Sequence, residues 1–239
     1  QASGHLDESM ALKIGVKIWY NEGGGKVSGL TNWATGESFA SLGIGHFIWY
    51  PAHVTPEHGE SFAQLLTYLS KHGVNLPDWL RGKHGKYCPW QDKMAFRQHA
   101  KSPKMKALRT LLVETIPLQA QYMVLRLAKT IPRILKQVPS SEQEGITRAF
   151  NQLMATPKGI FALVDYLNFK GGGLGGKHHE WGLLQVMRQM LKAPHSLKTI
   201  ESFVWAADVV LARRVLHADK GSHQKRWLRG WHKRVYGYL

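Results

Sequence analysis

Residues 19–51 read WYNEGGGKVSGLTNWATGESFASLGIGHFIWYP. This stretch places one carboxylate, Glu22, at the end of an apolar-periodic segment and directly before three glycines. It then returns through a polar loop to the glycine-punctuated run Gly43-Ile44-Gly45-His46. A helix that ends in an acid beside a tight glycine turn can present a general acid to a cleft. We therefore expect the chemistry of the chain to centre on Glu22.

The segments around this stretch alternate between helix and turn. Residues 7–21 predict an amphipathic helix, with apolar residues at i, i+4 and i+8 on one face. Glycine and polar residues over 23–51 predict a loop and a small antiparallel hairpin. Thr55-Pro56 predicts the start of the next helix, and Gly73 predicts its stop. We expect the sheet of the protein to lie within 23–51.

Helical periodicity dominates the remaining residues. It predicts helices at 91–101, 104–114, 118–137, 142–154, from Pro157 onward, 179–192 and 196–218. Pro132 is expected to bend or divide the helix at 118–137, and Ser140 or Ser141 is expected to cap the helix at 142–154. The segment 77–92 is rich in Pro, Gly and aromatics and predicts a boundary between an N-terminal lobe, 1–80, and a helical lobe, 81–239. The fold class is therefore mainly α (α+β), with a small hairpin and an enlarged helical lobe, and we expect the two lobes to form one compact domain.

Charge separates the candidate partners. Lys and Arg number 32 against 16 Asp and Glu, a formal charge of +16, so we expect a polyanionic partner. Nucleic acid, an anionic membrane and the bacterial cell wall all fit this charge, but no nucleic-acid-binding motif is present. Cys88 is the sole cysteine and excludes an intramolecular disulfide. No run is long enough to predict a transmembrane segment.

The pairing of Asn21-Glu22-Gly23 with Ser41-Leu42-Gly43-Ile44-Gly45-His46 resembles the catalytic region of the lysozyme superfamily, above all the phage-type lysozymes. In that family an acid followed by glycine ends the first helix, and a Thr-x-Gly-x-Gly-His run follows a short hairpin. The resemblance covers about 35 residues. Here the spacing is longer, and Ser41 replaces the threonine.

The resemblance implies a lysozyme-like fold and a muramidase that cleaves the β-1,4 MurNAc–GlcNAc linkage of peptidoglycan, in a groove between two lobes. Glu22 is then the general acid. Such an acid must stay protonated near neutral pH, and we expect neighbouring aromatic residues to provide apolar surroundings that favour this state. These residues are Trp19, Tyr20, Phe47, Trp49 and Tyr50.

A second carboxylate normally assists hydrolysis. Glu37 is the only acid between Glu22 and Glu57, and it either fills this role or pins the loop. By spacing from Gly43-Ile44-Gly45-His46, the family position of the second acid falls nearer Thr35. If no second carboxylate reaches the cleft, Glu22 alone implies a lytic transglycosylase that forms a 1,6-anhydro sugar.

Two further residues of the stretch are candidates for the site. By resemblance Ser41 positions a water or a substrate amide; otherwise it is a strand serine. His46 is expected to hold the loop and contact substrate rather than act as a base.

A second candidate group lies around a glycine loop far along the chain. Tyr166 and Asn168 precede it and Gln185 follows it, and such side chains suit sugar hydroxyl and N-acetyl groups. The run Gly-Leu-Leu-Gln that ends at Gln185 also resembles an element of lytic transglycosylases. A core helix beside a surface loop is the alternative.

No cofactor or metal is predicted. His178-His179-Glu180 suggests a metal site, but adjacent histidines on a helix diverge and no His-Glu-x-x-His run exists. A lysozyme-like protein that only binds glycan or an anionic surface is the non-enzymatic alternative.

The expected partners are peptidoglycan glycan strands and the anionic cell-wall surface. Nucleic acid is not expected as a specific partner, and an immunity or inhibitor protein would be expected if the protein is a toxin. The resemblance implies a periplasmic or secreted location. Wall remodelling, killing of competitors and phage lysis would all use the same site.

Overall fold

The polypeptide is mainly helical with one small antiparallel sheet, as the periodicity predicts. The computed structural model describes residues 7–57, 61–175, 181–218 and 224–239. The helices are α1 (Glu8–Gly23), α2 (Phe62–Lys71), α3 (Lys93–Gln98), α4 (Pro103–Glu114), α5 (Ile116–Gln137), α6 (Ser140–Met154), α7 (Pro157–Lys170), α8 (Leu183–Met190), α9 (Thr199–His217) and α10 (Leu228–Tyr236). The strands are β1 (Thr31–Asn32), β2 (Ala40–Leu42) and β3 (Phe47–Trp49).

The three strands pair in the order β1-β2-β3, within the segment predicted for the hairpin. Leu42 lies opposite Thr31 on one side and Phe47 on the other. Because strand residues alternate between faces, these side chains share the buried face of the sheet. Ser41 is paired with Asn32 and Ile48 on the other face.

Two compact units make up the chain, Leu6–Met123 and a unit that contains Val124–Leu239. Residues 81–123, which the sequence assigns to the helical lobe, therefore cluster with the N-terminal helix and the sheet. Among the described residues, no helix is long and apolar enough to cross a membrane.

The core of the first unit is built on aromatic side chains around β3. Trp49 is 1% exposed, and its ring centroid lies 4.8 Å from that of Phe62 and 6.3 Å from that of Trp90. Gly15 brings α1 close to α5, because a Cβ at Gly15 would lie 2.8 Å from Cγ2 of Ile116. This packing fixes the helix that carries Glu22.

In the second unit, α9 packs against α6, α8 and α10. Its buried face consists of Phe203, Val204, Ala206, Ala207, Val210 and Leu211. The small residues on this face allow neighbouring helices to approach closely. The basic C-terminal segment thus contributes a packed helix, and Val235 and Tyr238 are fully buried.

Two predicted helix starts are wrong. The second helix begins at Phe62 and not at Thr55-Pro56, and the hydroxyl of the preceding Ser61 accepts from the Ile48 N–H at 2.7 Å. The residue before α6 is Pro139, so neither Ser140 nor Ser141 caps that helix. Of the two outcomes expected at Pro132, a bend or a division, the division is wrong, since one helix runs through this residue.

Candidate functional site

Glu22 lies in the last turn of α1, where a glycine cap ends the helix. Gly24 adopts φ +66°, and its N–H donates to the Tyr20 carbonyl at 3.0 Å, while the Gly25 N–H donates to the Trp19 carbonyl at 3.4 Å. This left-handed conformation costs glycine little, so the chain can turn sharply directly after Glu22. The Glu22 side chain is only 12% exposed. The prediction that Glu22 lies at the end of this helix is confirmed.

The backbone after the cap packs tightly onto the helix end. A Cβ at Gly29 would lie 3.3 Å from Cα of Gly23, so the short 3₁₀ turn Val27–Leu30 lies against α1. The indole N–H of Trp19 donates to the Lys26 carbonyl at 3.0 Å. These contacts hold the segment that follows Glu22 in one position.

The GIGH turn, Gly43–His46, joins β2 to β3 and is held by the buried side-chain amide of Gln119. Ile44 N–H donates to Oε1 of Gln119 at 2.9 Å. The Gln119 Nε2 donates to the Leu112 carbonyl at 2.7 Å and to Oγ1 of Thr115 at 3.0 Å. Gln119 is fully buried.

Sequence reasoning missed Gln119. In the sequence, Gln119 is an amide within one turn of the apolar residues of α5. This position does not indicate which group the amide would bond. Because both its donors and its acceptor are used, this side chain joins the GIGH turn to two helices.

The GIGH turn brings His46 to Glu22. Nδ1 of His46 lies 3.5 Å from Oε2 of Glu22. His46 has φ +48°, an uncommon backbone conformation for a residue with a side chain, and its N–H donates to the Gly43 carbonyl at 3.3 Å. Its side chain is 32% exposed, so the pair is accessible to solvent from the imidazole side. Two groups that can exchange protons therefore meet at a partly open site.

The aromatic residues expected around Glu22 are placed in different environments. Tyr20 is 64% exposed. Phe47, Trp49 and Tyr50 are buried in the core of the unit. The structure thus places Tyr20 at the surface and three of the aromatic residues in the core, and the expected apolar surroundings of Glu22 stay a prediction.

Ser41 lies in β2, one residue before Leu42 and the GIGH turn. It is 8% exposed and occupies the sheet face opposite the core, between Asn32 and Ile48. Its predicted contact with a water or a substrate amide stays a prediction.

Glu37 fixes its loop through its backbone. Its carbonyl accepts from the indole N–H of Trp33 at 2.8 Å, and its N–H donates to the Ala34 carbonyl at 3.2 Å. The side chain is exposed. The loop-holding role is thus carried by main-chain atoms, and the role of the carboxylate stays a prediction.

Thr35, near which the family spacing places the second acid, bonds a cation instead. Lys93 Nζ donates to its hydroxyl at 2.6 Å, and both side chains lie on the surface of the first unit. A hydroxyl held by an ammonium group cannot supply the negative charge that a second carboxylate would.

The candidates around the glycine loop belong to the other unit. Tyr166 is fully buried, and its hydroxyl donates to the Trp181 carbonyl at 2.6 Å. Gln185 accepts from the Gly182 N–H at 3.0 Å and donates to the Gly173 carbonyl at 3.2 Å. Both side chains therefore hold the loop, while Asn168 lies half-buried near the end of α7.

His178-His179-Glu180 lies outside the described residues. Over the ranges that the structure describes, no group of three His, Cys, Asp or Glu side chains is placed to hold a metal ion. The sole cysteine, Cys88, is buried, and this burial raises the pKa of its thiol to about 12. Such a thiol is a poor nucleophile near neutral pH.

A cavity of about 820 Å³ lies in the first unit and was not predicted. Indole rings of Trp79 and Trp90 line it, and Asp92, His99 and Lys104 supply polar groups. Lys104 Nζ lies 5.1 Å from the centre of the Trp79 ring. The sequence signal for this cavity is the aromatic-rich segment 77–92, whose composition by itself predicts only a boundary between two lobes. An aromatic surface with a polar rim suits a sugar ring.

Comparison of the chain with protein-family models, curated proteins and solved structures found no match.

Proposed function

We propose that this protein is a peptidoglycan glycoside hydrolase that cleaves the β-1,4 MurNAc–GlcNAc linkage with Glu22 as general acid. The observation that carries the proposal is the 3.5 Å approach of His46 to the partly enclosed Glu22 carboxylate. The two residues come from the two halves of the motif that resembles lysozymes.

In the proposed reaction Glu22 donates its proton to the glycosidic oxygen. The bond from C1 to that oxygen breaks, the leaving sugar takes the proton, and positive charge develops on the remaining ring. Water then adds to C1 and returns a proton to Glu22. His46 acts as a positioning residue, because an imidazole beside the carboxyl group restricts its orientation. Glu37 is the proposed second carboxylate, and Ser41 the proposed water or amide contact.

Lytic transglycosylase chemistry is the second candidate, and the pairing of Thr35 with Lys93 favours it. Without a second carboxylate, the C6 hydroxyl of the MurNAc residue attacks C1. Glu22, deprotonated after the first step, takes the hydroxyl proton, and a 1,6-anhydro sugar forms. The products therefore distinguish the two reactions.

Glycan binding without cleavage is the third candidate, and the cavity beside Trp79 and Trp90 favours it. In this case the chain would bind peptidoglycan through aromatic surface and positive charge. The formal charge of +16 suits an anionic cell wall under all three proposals. We also propose that the protein acts in the periplasm or after secretion. If it is a toxin, we propose that an inhibitor protein binds it.

The test is digestion of purified peptidoglycan by the wild-type protein, Glu22→Gln and Glu8→Gln, with the soluble products analysed by mass spectrometry. Glu8 lies in the exposed first turn of the same helix and is the matched control. We expect wild type and Glu8→Gln to release muropeptides, and Glu22→Gln to lose at least about a hundredfold of the rate.

Reducing ends would support hydrolysis, and anhydro ends would support the transglycosylase. Binding of all three proteins to peptidoglycan with no products from any of them would support the binding protein. Equal release by wild type and Glu22→Gln would contradict the assignment of the acid.

A further inference from the structure

Three cations converge on aromatic rings in the second unit. Lys170 Nζ lies 3.6 Å from the centre of the Trp231 ring, and the Arg214 guanidinium lies 4.0 Å from the centre of the Trp181 ring and 5.1 Å from that of Trp231. The third cation, Arg234, lies 4.3 Å from the Phe169 ring. We name these six residues the Lys170 cluster.

Among the described residues, the carboxylate that bonds a cation of the Lys170 cluster is that of Asp165, and its partner is Arg234. Asp165 is fully buried; Arg234 Nε donates to its Oδ2 at 2.9 Å and Nη2 donates to its Oδ1 at 2.8 Å. The Tyr238 hydroxyl donates to Oδ2 as well, at 2.5 Å. The hydrogen-bonding capacity of Asp165 is thus directed to Arg234 and Tyr238, away from the other two cations.

Lys170 and Arg214 lack a carboxylate partner among the residues that the structure describes. Arg214 Nε donates to Oε1 of Gln224 at 2.9 Å, which is a neutral group. The Lys170 ammonium group lies against the faces of Phe169 and Trp231. Its ammonium group has three donors, and an aromatic face replaces only part of the hydration that burial removes.

This arrangement is costly for the charged form of the lysine. Burial, and then the nearby charges of Arg214 and Arg234, lower the pKa of Lys170 to about 7. Contact with aromatic faces acts in the opposite direction, because it favours the ammonium form. An anion between Lys170 and Arg214 would remove the repulsion and hold the proton on the lysine.

The backbone beside Lys170 is well fixed. The Leu183 N–H donates to the Gly171 carbonyl at 2.9 Å, and the Leu184 N–H donates to the Gly172 carbonyl at 3.0 Å. A Cβ at Gly182 would lie 2.3 Å from the Gly173 nitrogen, so the two segments are in direct backbone contact. Lys170, the last residue of α7, is therefore followed directly by backbone that is held in place.

We propose that Lys170 and Arg214 form a binding site for a phosphate group, bordered by the indoles of Trp181 and Trp231. A guanidinium plane and an ammonium group are the side chains that bind phosphate oxygens best, and the indoles exclude water from one side. The inference does not depend on the proposed function, because it uses no residue of the Glu22 site.

The first test measures sulfate binding at constant ionic strength, with chloride as the balancing anion and indole N–H signals followed by NMR. Sulfate carries the same charge from pH 6 to pH 8.5, so only the protein titrates. The charged groups that act on Lys170 are Arg214 and Arg234, and the carboxylate of Asp165 bonds Arg234. At pH 6 we expect Lys170→Met to bind sulfate at least about tenfold more weakly than wild type. Lys136→Met, which removes the same charge from an exposed site of α5, is expected to match wild type.

The pH dependence tests the proposal on the unaltered protein. Since the lysine loses its proton above pH 7, sulfate affinity should fall by up to about tenfold per pH unit between pH 7 and 8.5. If Lys170→Met fails to fold, Arg214→Gln replaces it with the same expectation. Sulfate affinity that changes neither with pH nor in Lys170→Met relative to Lys136→Met would overturn the proposal.

A second test distinguishes the source of the phosphate group. Glycerol 3-phosphate represents a soluble ester, and phosphatidylglycerol vesicles represent a lipid headgroup. Binding of either probe that is lost in Lys170→Met and kept in Lys136→Met supports the site and names its source. Equal binding of both probes by the two variants would mean that overall charge alone attracts them, which contradicts the proposal.

Discussion

Nδ1 of His46 lies 3.5 Å from Oε2 of Glu22, so the GIGH turn meets the last turn of α1. Two glycine-rich segments make this meeting possible. The left-handed Gly24 ends the helix directly after Glu22, and Gly43, with φ +76°, begins the turn that carries His46. The geometry of the candidate site is thus set by the backbone on both sides.

The first prediction tests His46 as a positioning residue. His46→Asn should keep the fold, since asparagine tolerates positive φ better than most residues. We expect kcat for peptidoglycan cleavage to fall by about tenfold with little change in KM, because orientation of the Glu22 carboxyl group is lost after substrate binds. His53→Asn, in an exposed turn, is the control. An unchanged kcat in His46→Asn would remove His46 from the site.

The second prediction concerns Gln119. Gln119→Leu leaves the Ile44 N–H without its acceptor, and leaving such a buried group unpaired costs about 1–3 kcal/mol. We expect a lower Tm and a loss of cleavage at temperatures where the variant is folded, because the GIGH turn is no longer fixed. Gln98→Leu, at an exposed position of α3, should leave both unchanged. A stable variant with full activity would show that the turn does not need this amide.

The third prediction compares two glycines with similar backbone angles. Gly43 and Gly36 have φ +76° and +83°, so alanine at either position costs about 1–2 kcal/mol of backbone strain. A Cβ at Gly43 would also lie 2.6 Å from Oε1 of Gln119, whereas nothing lies within 4 Å at Gly36. We expect Gly43→Ala to lower the free energy of unfolding by a further amount of about 1–3 kcal/mol. Urea unfolding of Gly43→Ala and Gly36→Ala measures this difference. If both variants lose the same free energy of unfolding, the turn is not tightly packed at Gly43.

The fourth prediction concerns Cys88 and pH. Burial raises the pKa of the thiol from 9.0 to about 12, so the unfolded chain loses this proton at lower pH than the folded chain. The stability that comes from keeping this thiol protonated is fully present below pH 9. It is lost as the pH rises, and at pH 10 the free energy of unfolding is lower by about 1.4 kcal/mol. Chemical unfolding at pH 8 and pH 10 should show this loss in wild type beyond that in Cys88→Ala. An equal decrease in both proteins would contradict it.

The same burial predicts the reactivity of the thiol. In the folded protein at pH 8, Cys88 should resist a disulfide exchange reagent, and it should react fully in denaturant. Rapid reaction in the folded state would show that this region opens readily.

The sequence by itself determined the features that depend on a few neighbouring residues. Asp7, Ser102 and Thr156 accept from backbone N–H groups three residues ahead and so begin α1, α4 and α7. Apolar periodicity determined that the chain is mainly helical, and the alternation of glycine and polar residues located the sheet. The position of Glu22 at the end of a helix was also decided by nearby residues, because the capping residue Gly24 lies two residues away.

Tertiary structure alone decided which distant groups meet. Ile44 and Gln119 are 75 residues apart, and nothing in either local sequence selects the other as its hydrogen-bond partner. In the same way, Tyr166 and Gln185 bond backbone carbonyls of a loop, and Lys170 and Arg214 lie against the indoles of Trp231 and Trp181. The physical reason is that burial and partner choice depend on the packing of whole helices, whereas capping and periodicity act within one or two turns of the chain.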